Sequence, residues 1–303
     1  MKKKILVLGG GYSKERSISL KSAKAVIRSI KNTYNVKFCD PSSNFFKIVE
    51  TFKPDVIFNA LHGRFGEDGY IQTILETLDI KYTHSGVISS MLAMDKEMSK
   101  KIFMKNKILT PKFMKIKNDI KNINYKSINR YLKYPLVIKP INEGSSLDVF
   151  ICENSLSLKT SLKKMKNYRE ILIEKFIPGR EIQTAIMGNK ILGAIELKPK
   201  RKFYDYNAKY NSKAKTKHII PVNLSKKNYH KVNKIAYKAH KLLHCKGVTR
   251  SDFKYYKGKF YLLEINTQPG MTDLSLVPEI AAYKGIDFKS LIKWMINNAS
   301  KNR

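Results

Sequence analysis

Hydrophobic and polar residues alternate in blocks along the first third of the chain. Four apolar runs have the length of buried strands, and three stretches carry apolar positions at helical spacing: residues 5–8, 36–39, 55–61 and 80–83, and residues 17–30, 71–78 and 89–107. Consecutive glycines close the first run with a tight turn that leads into the first helix. This strand–helix–strand order predicts an open parallel sheet with helices packed on it.

The remaining two thirds of the chain predict further strands and helices. Strands are expected at residues 136–138, 171–174, 248–256 and 261–263, with a strand pair around Gly188 at residues 189–196, and helices are expected at residues 228–244, 275–284 and 288–299. Thr110 and Pro111 interrupt the pattern, so a domain boundary is expected near residues 95–110.

The most informative polar residues lie on two strands near the end of the chain, joined by a Lys-Gly-Lys turn. Folding this hairpin puts Asp252 opposite Leu263 or Glu264, depending on the register of the turn. Arg250 lies two residues from Asp252, and Asn266 lies two residues from Glu264, so each pair shares one face of its strand. Carboxylate and amide oxygens are ligands that suit Mg²⁺. The alternative is a surface ion pair between Arg250 and an acid.

Composition and charge narrow the class of protein. The 303 residues have a net charge of +35, but nine arginines among 59 basic residues leave 50 lysines, scattered along the whole chain. Base-reading sites favour arginine and aromatic platforms, so we expect no specific nucleic-acid partner and only a weak, salt-sensitive affinity for polyanions. Three distant cysteines and the lack of an apolar run of ~20 residues indicate a cytoplasmic protein that does not cross a membrane.

Two loops of the first third carry candidate ligand-binding residues. The glycine turn lacks the third glycine of a dinucleotide fingerprint, which argues against a nicotinamide cofactor. Glu15 follows this turn and could meet a substrate ammonium, or could be an acid favoured at a helix N-terminus. Residues 62–70, HGRFGEDGY, follow a strand at the sheet edge where such folds bind ligands. The alternative is a polar loop in which Asp68 caps the next helix.

Two segments of the middle third suggest nucleotide binding. Lys139 ends a strand, and the glycine and hydroxyl residues at 142–146 would let backbone N–H groups approach phosphates. The alternative is a hairpin turn with an incidental lysine. Residues 171–174 lead into Lys-Phe-Ile-Pro-Gly, whose backbone could bind adenine, while Glu181 could bind ribose hydroxyls. The alternative is an interdomain linker.

Eight motifs in order resemble one family. They are GGGYSKERSISL, HGRFGEDG, MDK, VIKP-x-x-EGSS, LIEKFI-x-G-x-E, FYDYNAKY, RSD and LLEINTQPGMT-x-x-S. Each motif is weak alone, but their order over nearly the whole chain is similar to that of D-alanine–D-alanine ligases of the ATP-grasp superfamily.

The resemblance implies an α/β fold, with α+β character in the ATP-grasp part. An N-terminal open parallel-sheet βαβ domain at residues 1–95 would be followed by two ATP-grasp subdomains at residues 96–180 and 181–303. The implied function is the ATP-dependent joining of two D-alanine molecules through an acyl phosphate, for peptidoglycan synthesis. ATP and two Mg²⁺ or Mn²⁺ ions would be required, and the enzyme would be a cytoplasmic homodimer.

The resemblance also implies a role for each site residue. ATP would be held by Lys96, Lys139, Glu174, Lys175, Phe176, Ile177, Glu181 and Lys209. The metal ions would be held by Asp252, Glu264 and Asn266. The first D-alanine would contact Glu15, His62 and Ser145, and the second would contact Arg250, Gly270 and Ser275. Residues 203–210 would form a mobile lid in which Lys209 reaches the γ-phosphate and Tyr210 binds Glu15 and Ser145. The catalytic set would be Glu15, Ser145, Tyr210, Arg250, Gly270 and Ser275.

Two positions depart from the family pattern. Asp148 stands where the family usually has glycine, which brings a carboxylate toward the triphosphate, and Asn207 stands where the family often has glutamate. Two alternative functions stay open, the second of which is motivated by Asp148 and the surplus of lysine. One is a related ligase with a D-serine or D-lactate acceptor, and the other is a non-catalytic polyanion-binding protein on the same fold.

Overall fold

The described part of this computed structural model forms three sheets. The structure describes residues 1–119, 122–144, 148–199, 216–272 and 275–303. Within these ranges no helix is both long enough and apolar enough to cross a membrane.

The first sheet is parallel, as predicted, with strand order β2-β1-β3. Its strands and helices alternate along the chain: β1 Lys4–Leu8, α1 Arg16–Ile30, β2 Asn35–Cys39, α2 Phe45–Phe52, β3 Val56–Asn59 and α3 Tyr70–Thr77. The strand expected at residues 80–83 is reduced to single bridges that Tyr82 makes to Ile57 and Ser300. Because Tyr82 forms only one bridge to each neighbour, residues 80–83 do not form a strand.

Asp95 divides the helix expected at residues 89–107 into α4, Val87–Met94, and α5, Lys96–Lys105. Its backbone is extended, with φ −76° and ψ 100°. Its carboxylate accepts hydrogen bonds of 2.9 Å from the N–H groups of Glu97 and Met98, which caps the second helix. The break places Lys96 in the first turn of α5.

The second sheet is antiparallel, with strand order β4-β7-β5-β6. Its elements are β4 Phe113–Lys117, α6 Tyr125–Leu132, β5 Leu136–Pro140, β6 Phe150–Cys152, α7 Ser155–Lys164 and β7 Glu170–Lys175. Buried residues of both helices, among them Leu132 and Leu158, share one apolar core with β5 and β7.

The third sheet is also antiparallel, with strand order β10-β9-β8-β11-β12. Its strands are β8 Arg180–Met187, β9 Lys190–Lys198, β10 Lys217–Ile219, β11 Val248–Tyr256 and β12 Lys259–Asn266, and helices α8 Lys226–Leu242, α9 Leu276–Tyr283 and α10 Phe288–Asn297 complete this part of the chain. One apolar core joins α9 and α10 to β1, β3 and α1, so the first and third sheets lie close together.

Asp40 fixes the glycine turn after β1. Its carboxylate contacts the guanidinium of Arg16 at 2.5 Å and accepts hydrogen bonds from the N–H of Gly11 at 3.0 Å and from the hydroxyl of Ser42 at 2.7 Å. Partial burial acts to raise the pKa of Asp40, but these bonds outweigh it and lower the pKa to about 2. The acid that follows β2 therefore holds the glycine turn that follows β1.

Replacing Asp40 by asparagine should lower the free energy of unfolding at pH 7 by about 1–2 kcal/mol, after allowance for solvent screening. Because the folded pKa lies below the unfolded value of 3.8, the stabilisation is present above that pH and declines as the pH falls toward about 2. Urea unfolding of both proteins at pH 7 and pH 3 would measure it. A difference as large at pH 3 as at pH 7 would contradict this account.

Candidate active site

The hairpin of β11 and β12 brings the predicted metal-binding residues together. Asp252 pairs with Glu264 and Arg250 pairs with Asn266, while a bulge beside Asp252 leaves Leu263 without a register partner in this ladder. Of the two registers left open by the sequence, the structure has the one that places the carboxylates opposite each other.

Arg250 and Asp252 form a two-pronged ion pair on β11. The Nε of Arg250 donates to Oδ1 of Asp252 at 2.7 Å, and Nη2 donates to Oδ2 at 3.0 Å. Asp252 is only 4% exposed, so the pair is not the surface contact considered as an alternative.

A buried cluster of charges lies where β5 and β7 pass α5. Glu174 contacts the ammonium of Lys139 at 2.8 Å and that of Lys100 at 2.9 Å. Lys100 also donates to the hydroxyl of Thr110 at 2.7 Å. Burial opposes the charge of Glu174, but the two ammonium groups outweigh it and lower the pKa of the carboxyl. Burial lowers the pKa of Lys100 to about 8.

Lys96 and Lys100 occupy one face of α5 because they are four residues apart. Lys96 is buried and donates to the backbone carbonyl of Glu143 at 2.6 Å. Desolvation lowers its pKa. Sequence reasoning missed Lys100, although its spacing from Lys96 was a usable indication.

Those residues predicted to bind a nucleotide that the structure describes line one cleft of about 750 Å³, a volume that includes the open mouth of the cleft. Its lining includes Lys96, Lys139, Glu174, Lys175, Phe176, Ile177, Glu181, Asp252 and Glu264. The ammonium of Lys175 is engaged by the backbone carbonyls of Lys133 and Tyr134 at 2.9 Å each. Glu181 contacts Lys254 at 3.0 Å, and Lys254 is a lysine of this cleft that sequence reasoning missed.

A second cleft, of about 610 Å³, adjoins the first. Lys96, Glu143 and Glu264 line both clefts. The second also contains Glu15, His62, Glu67, Gly144, Arg250, Asn266 and Gly270. A Cβ at Gly270 would lie 3.0 Å from the hydroxyl of Ser275, so Ser275 stands directly beside this lining. The structure therefore brings the described substrate-binding candidates to one place.

His62 is held from both sides. Its Nδ1 lies 3.0 Å from a carboxylate oxygen of Glu67, and its Nε2 lies 3.0 Å from the hydroxyl of Ser22. The ring is 6% exposed, so its orientation is fixed within the wall of the second cleft. Sequence reasoning missed the roles of Glu67 and Ser22, because nothing in the spacing shows that α1 reaches this loop.

Glu15 packs against two glycines from different loops. A Cβ at Gly63 would lie 2.5 Å from its Oε2, and a Cβ at Gly144 would lie 2.8 Å from the same atom. Larger residues at either glycine would displace the carboxylate from the cleft. Ser145, Lys209, Tyr210 and the lid expected at residues 203–210 lie outside the described residues.

Known proteins share both the sequence and the architecture of this chain. The family described as D-ala D-ala ligase C-terminus matches residues 102–297, and the one described as D-ala D-ala ligase N-terminus matches residues 41–85. A D-alanine--D-alanine ligase of Pelagibacter ubique (strain HTCC1062) is 65% identical over 100% of both chains. The enzyme of that name from Wolbachia pipientis wMel is 43% identical over 99% of this chain and 95% of its own.

Solved structures agree with these sequence matches. A D-alanine--D-alanine ligase from Bacillus anthracis complexed with ATP has a TM-score of 0.86 and 31% identity, covering 98% of this chain and 97% of its own. The fold and its adjoining clefts define an ATP-grasp ligase, which confirms the predicted fold class. Within that class, the chain belongs to the D-alanine–D-alanine ligase family.

Proposed function

We propose that this chain joins two D-alanine molecules at the expense of ATP, for peptidoglycan synthesis. The observation that carries the proposal is the shared wall of the two clefts, formed by Lys96, Glu143 and Glu264. A lysine-lined nucleotide cleft beside an acid- and arginine-lined cleft suits the transfer of a phosphoryl group from one cleft to a substrate in the other.

The first cleft would hold ATP. Lys96 and Lys139 would contact the phosphates as point charges, and the side chains of Phe176 and Ile177 would pack against the base. Glu181 would accept bonds from the ribose hydroxyls. The Bacillus anthracis relative, a D-alanine--D-alanine ligase complexed with ATP, supports the binding of ATP by this chain.

The second cleft would hold the amino acids. Glu15 would contact the ammonium of the first D-alanine, and His62 would orient it together with Ser145. A carboxylate oxygen of this substrate would attack the terminal phosphorus of ATP, whose bond to the bridging oxygen breaks as ADP leaves. The amine of the second D-alanine would then attack the acyl carbon. Arg250 would stabilise the oxyanion that forms, and phosphate would leave.

Asp252, Glu264 and Asn266 would hold Mg²⁺ or Mn²⁺ ions. Their two carboxylates and one amide fit a site in which nucleotide phosphates complete the ligand set. Bound Mg²⁺ would offset the repulsion between the triphosphate and these acids. Arg250 would have to share Asp252 with the ion.

Phosphate release from ATP and Mg²⁺, measured with and without D-alanine, tests the proposal. Release should depend on D-alanine and yield one dipeptide per phosphate. Phosphate release that is the same without D-alanine would defeat the assignment. A competition between D-alanine and D-lactate over a range of pH would then establish the acceptor. The homodimer and the cytoplasmic location stay predictions, the latter supported by three buried, unpaired cysteines.

A further inference from the structure

Three polar side chains from separate segments meet beside the active site. The hydroxyl of Tyr168 donates to Oδ2 of Asp148 at 2.5 Å. The ammonium of Lys14 lies 3.1 Å from the same hydroxyl and 3.6 Å from the same carboxylate oxygen. It also lies 5.5 Å from the centre of the Tyr168 ring. We refer to Lys14, Asp148 and Tyr168 as the tyrosine cluster.

The tyrosine cluster joins the turn before α1 to the second sheet. Lys14 immediately precedes Glu15 in that turn, and Tyr168 lies just before β7. Glu15 itself packs against Gly144, and Lys14 contacts Asp148, so the turn before α1 has contacts at both positions. The turn before α1 therefore carries Glu15 of the first amino-acid subsite and contacts two residues that precede β6, Gly144 and Asp148.

Asp148 stands where a glycine would be expected in this family, and its backbone retains a glycine-like conformation with φ 53°. A carboxylate here would repel a bound triphosphate unless other groups neutralise it. Lys14 supplies a positive charge and Tyr168 supplies a hydrogen bond. Partial burial and the bond to Asp148 both raise the pKa of Tyr168, so the phenol keeps its proton at neutral pH.

We propose that Asp148 is a positioning residue that acts through Tyr168 and Lys14. These contacts hold the turn that carries Glu15 close to Gly144 and Asp148, and so shape the first D-alanine subsite. The inference rests on the proposed function, because its readout is the affinity for D-alanine. We refer to the contacts that Asp148 makes with Tyr168 and Lys14 as the tie. A glycine at position 148 could not make these side-chain contacts.

Two variants separate the tie from the charge. Asp148→Gly removes both, and we expect the KM for D-alanine at the first subsite to rise about fivefold, the loss associated with one partly exposed charged contact. The Kd for Mg-ATP, measured by calorimetry, should not weaken, because a negative charge has been removed. Tyr168→Phe removes the tie and keeps the carboxylate, so both the KM for D-alanine and the Kd for Mg-ATP should rise. Both changes together should raise the KM for D-alanine no further than either alone.

Matched controls exist elsewhere in the chain. Asp79 also has a positive φ, 54°, and pairs with a lysine, Lys301, so Asp79→Gly repeats the chemistry of Asp148→Gly far from the clefts. Tyr131 lies under the ammonium of Lys112 at 3.7 Å, which makes Tyr131→Phe the counterpart of Tyr168→Phe. Both controls should keep the wild-type KM values.

The outcomes distinguish this inference from the proposed function. A KM for D-alanine within twofold of wild type in Tyr168→Phe, or additive effects in the double variant, would overturn the inference alone. A wild-type chain without D-alanine-dependent phosphate release would overturn the proposed function, and the inference with it. Glycine is favoured at the backbone angles of Asp148, so a rise in KM in Asp148→Gly with an unchanged melting temperature would support the positioning role.

Discussion

Replacing Glu174 by alanine should lower the free energy of unfolding by about 3–5 kcal/mol, the cost of leaving buried charges without their partner. The carboxylate contacts the ammonium groups of Lys139 and Lys100, and both lysines are buried. Without it, the two positive charges would face each other in a site from which water is largely excluded. The variant should also lose most of its affinity for Mg-ATP, because Lys139 would no longer be held in place.

Urea unfolding with and without Mg-ATP would measure both effects. Glu170→Ala is the matched control, since Glu170 lies on the same strand but is 44% exposed and contacts Lys115 at 3.4 Å. That control should change the free energy of unfolding by less than about 1 kcal/mol. A loss of similar size in both variants would mean that the buried cluster is not the source of the effect.

The sequence predicts that Arg250 and Asp252 share one face of their strand and that Glu264 and Asn266 share one face of theirs, but not which residue pairs with Asp252. Strands have a period of two residues, so acids and amides at alternate positions must share a face once the hairpin forms. The bulge beside Asp252 could not be predicted, because one extra residue in a ladder depends on packing against the neighbouring strand. The sequence therefore left two registers open.

The partners of Glu174 could not be predicted in the same way. The family resemblance implies only that Glu174 helps to frame the adenine, and it does not indicate that the carboxylate contacts Lys100 and Lys139 as it does in this structure. These lysines lie on a helix and a strand that are far apart in the sequence. Their meeting depends on how α5 packs across the sheet, and periodicity along the chain does not determine that packing.

The helix break at Asp95 is another feature that periodicity along the chain does not predict. The apolar spacing continues from α4 into α5, so the pattern predicts one helix. The capping bonds from Asp95 to the following N–H groups compete with this continuity and stop the first helix. An aspartate within a helical pattern is a candidate for such a break, because its side chain can cap a new helix.

Replacing Arg250 by lysine should lower kcat/KM for D-alanine about 10²- to 10³-fold, the loss typical of removing one preorganised donor from an oxyanion site. Lysine keeps the positive charge but cannot reproduce the planar fork that binds both oxygens of Asp252. We expect kcat to fall more than KM rises, because the lost contact would form mainly in the transition state.

Arg180→Lys is the matched control, because Arg180 makes the same two-pronged contact with Glu196, at 2.8 and 2.6 Å, on the same sheet. It should change kcat by less than about threefold, since no substrate atom is expected at that fork. Dipeptide formation at saturating ATP, together with the melting temperatures of both variants, would separate catalysis from folding. If Arg250→Lys retained kcat within threefold of wild type while remaining folded, Arg250 would bind Asp252 for structural reasons alone, and the oxyanion would have to be stabilised by other groups.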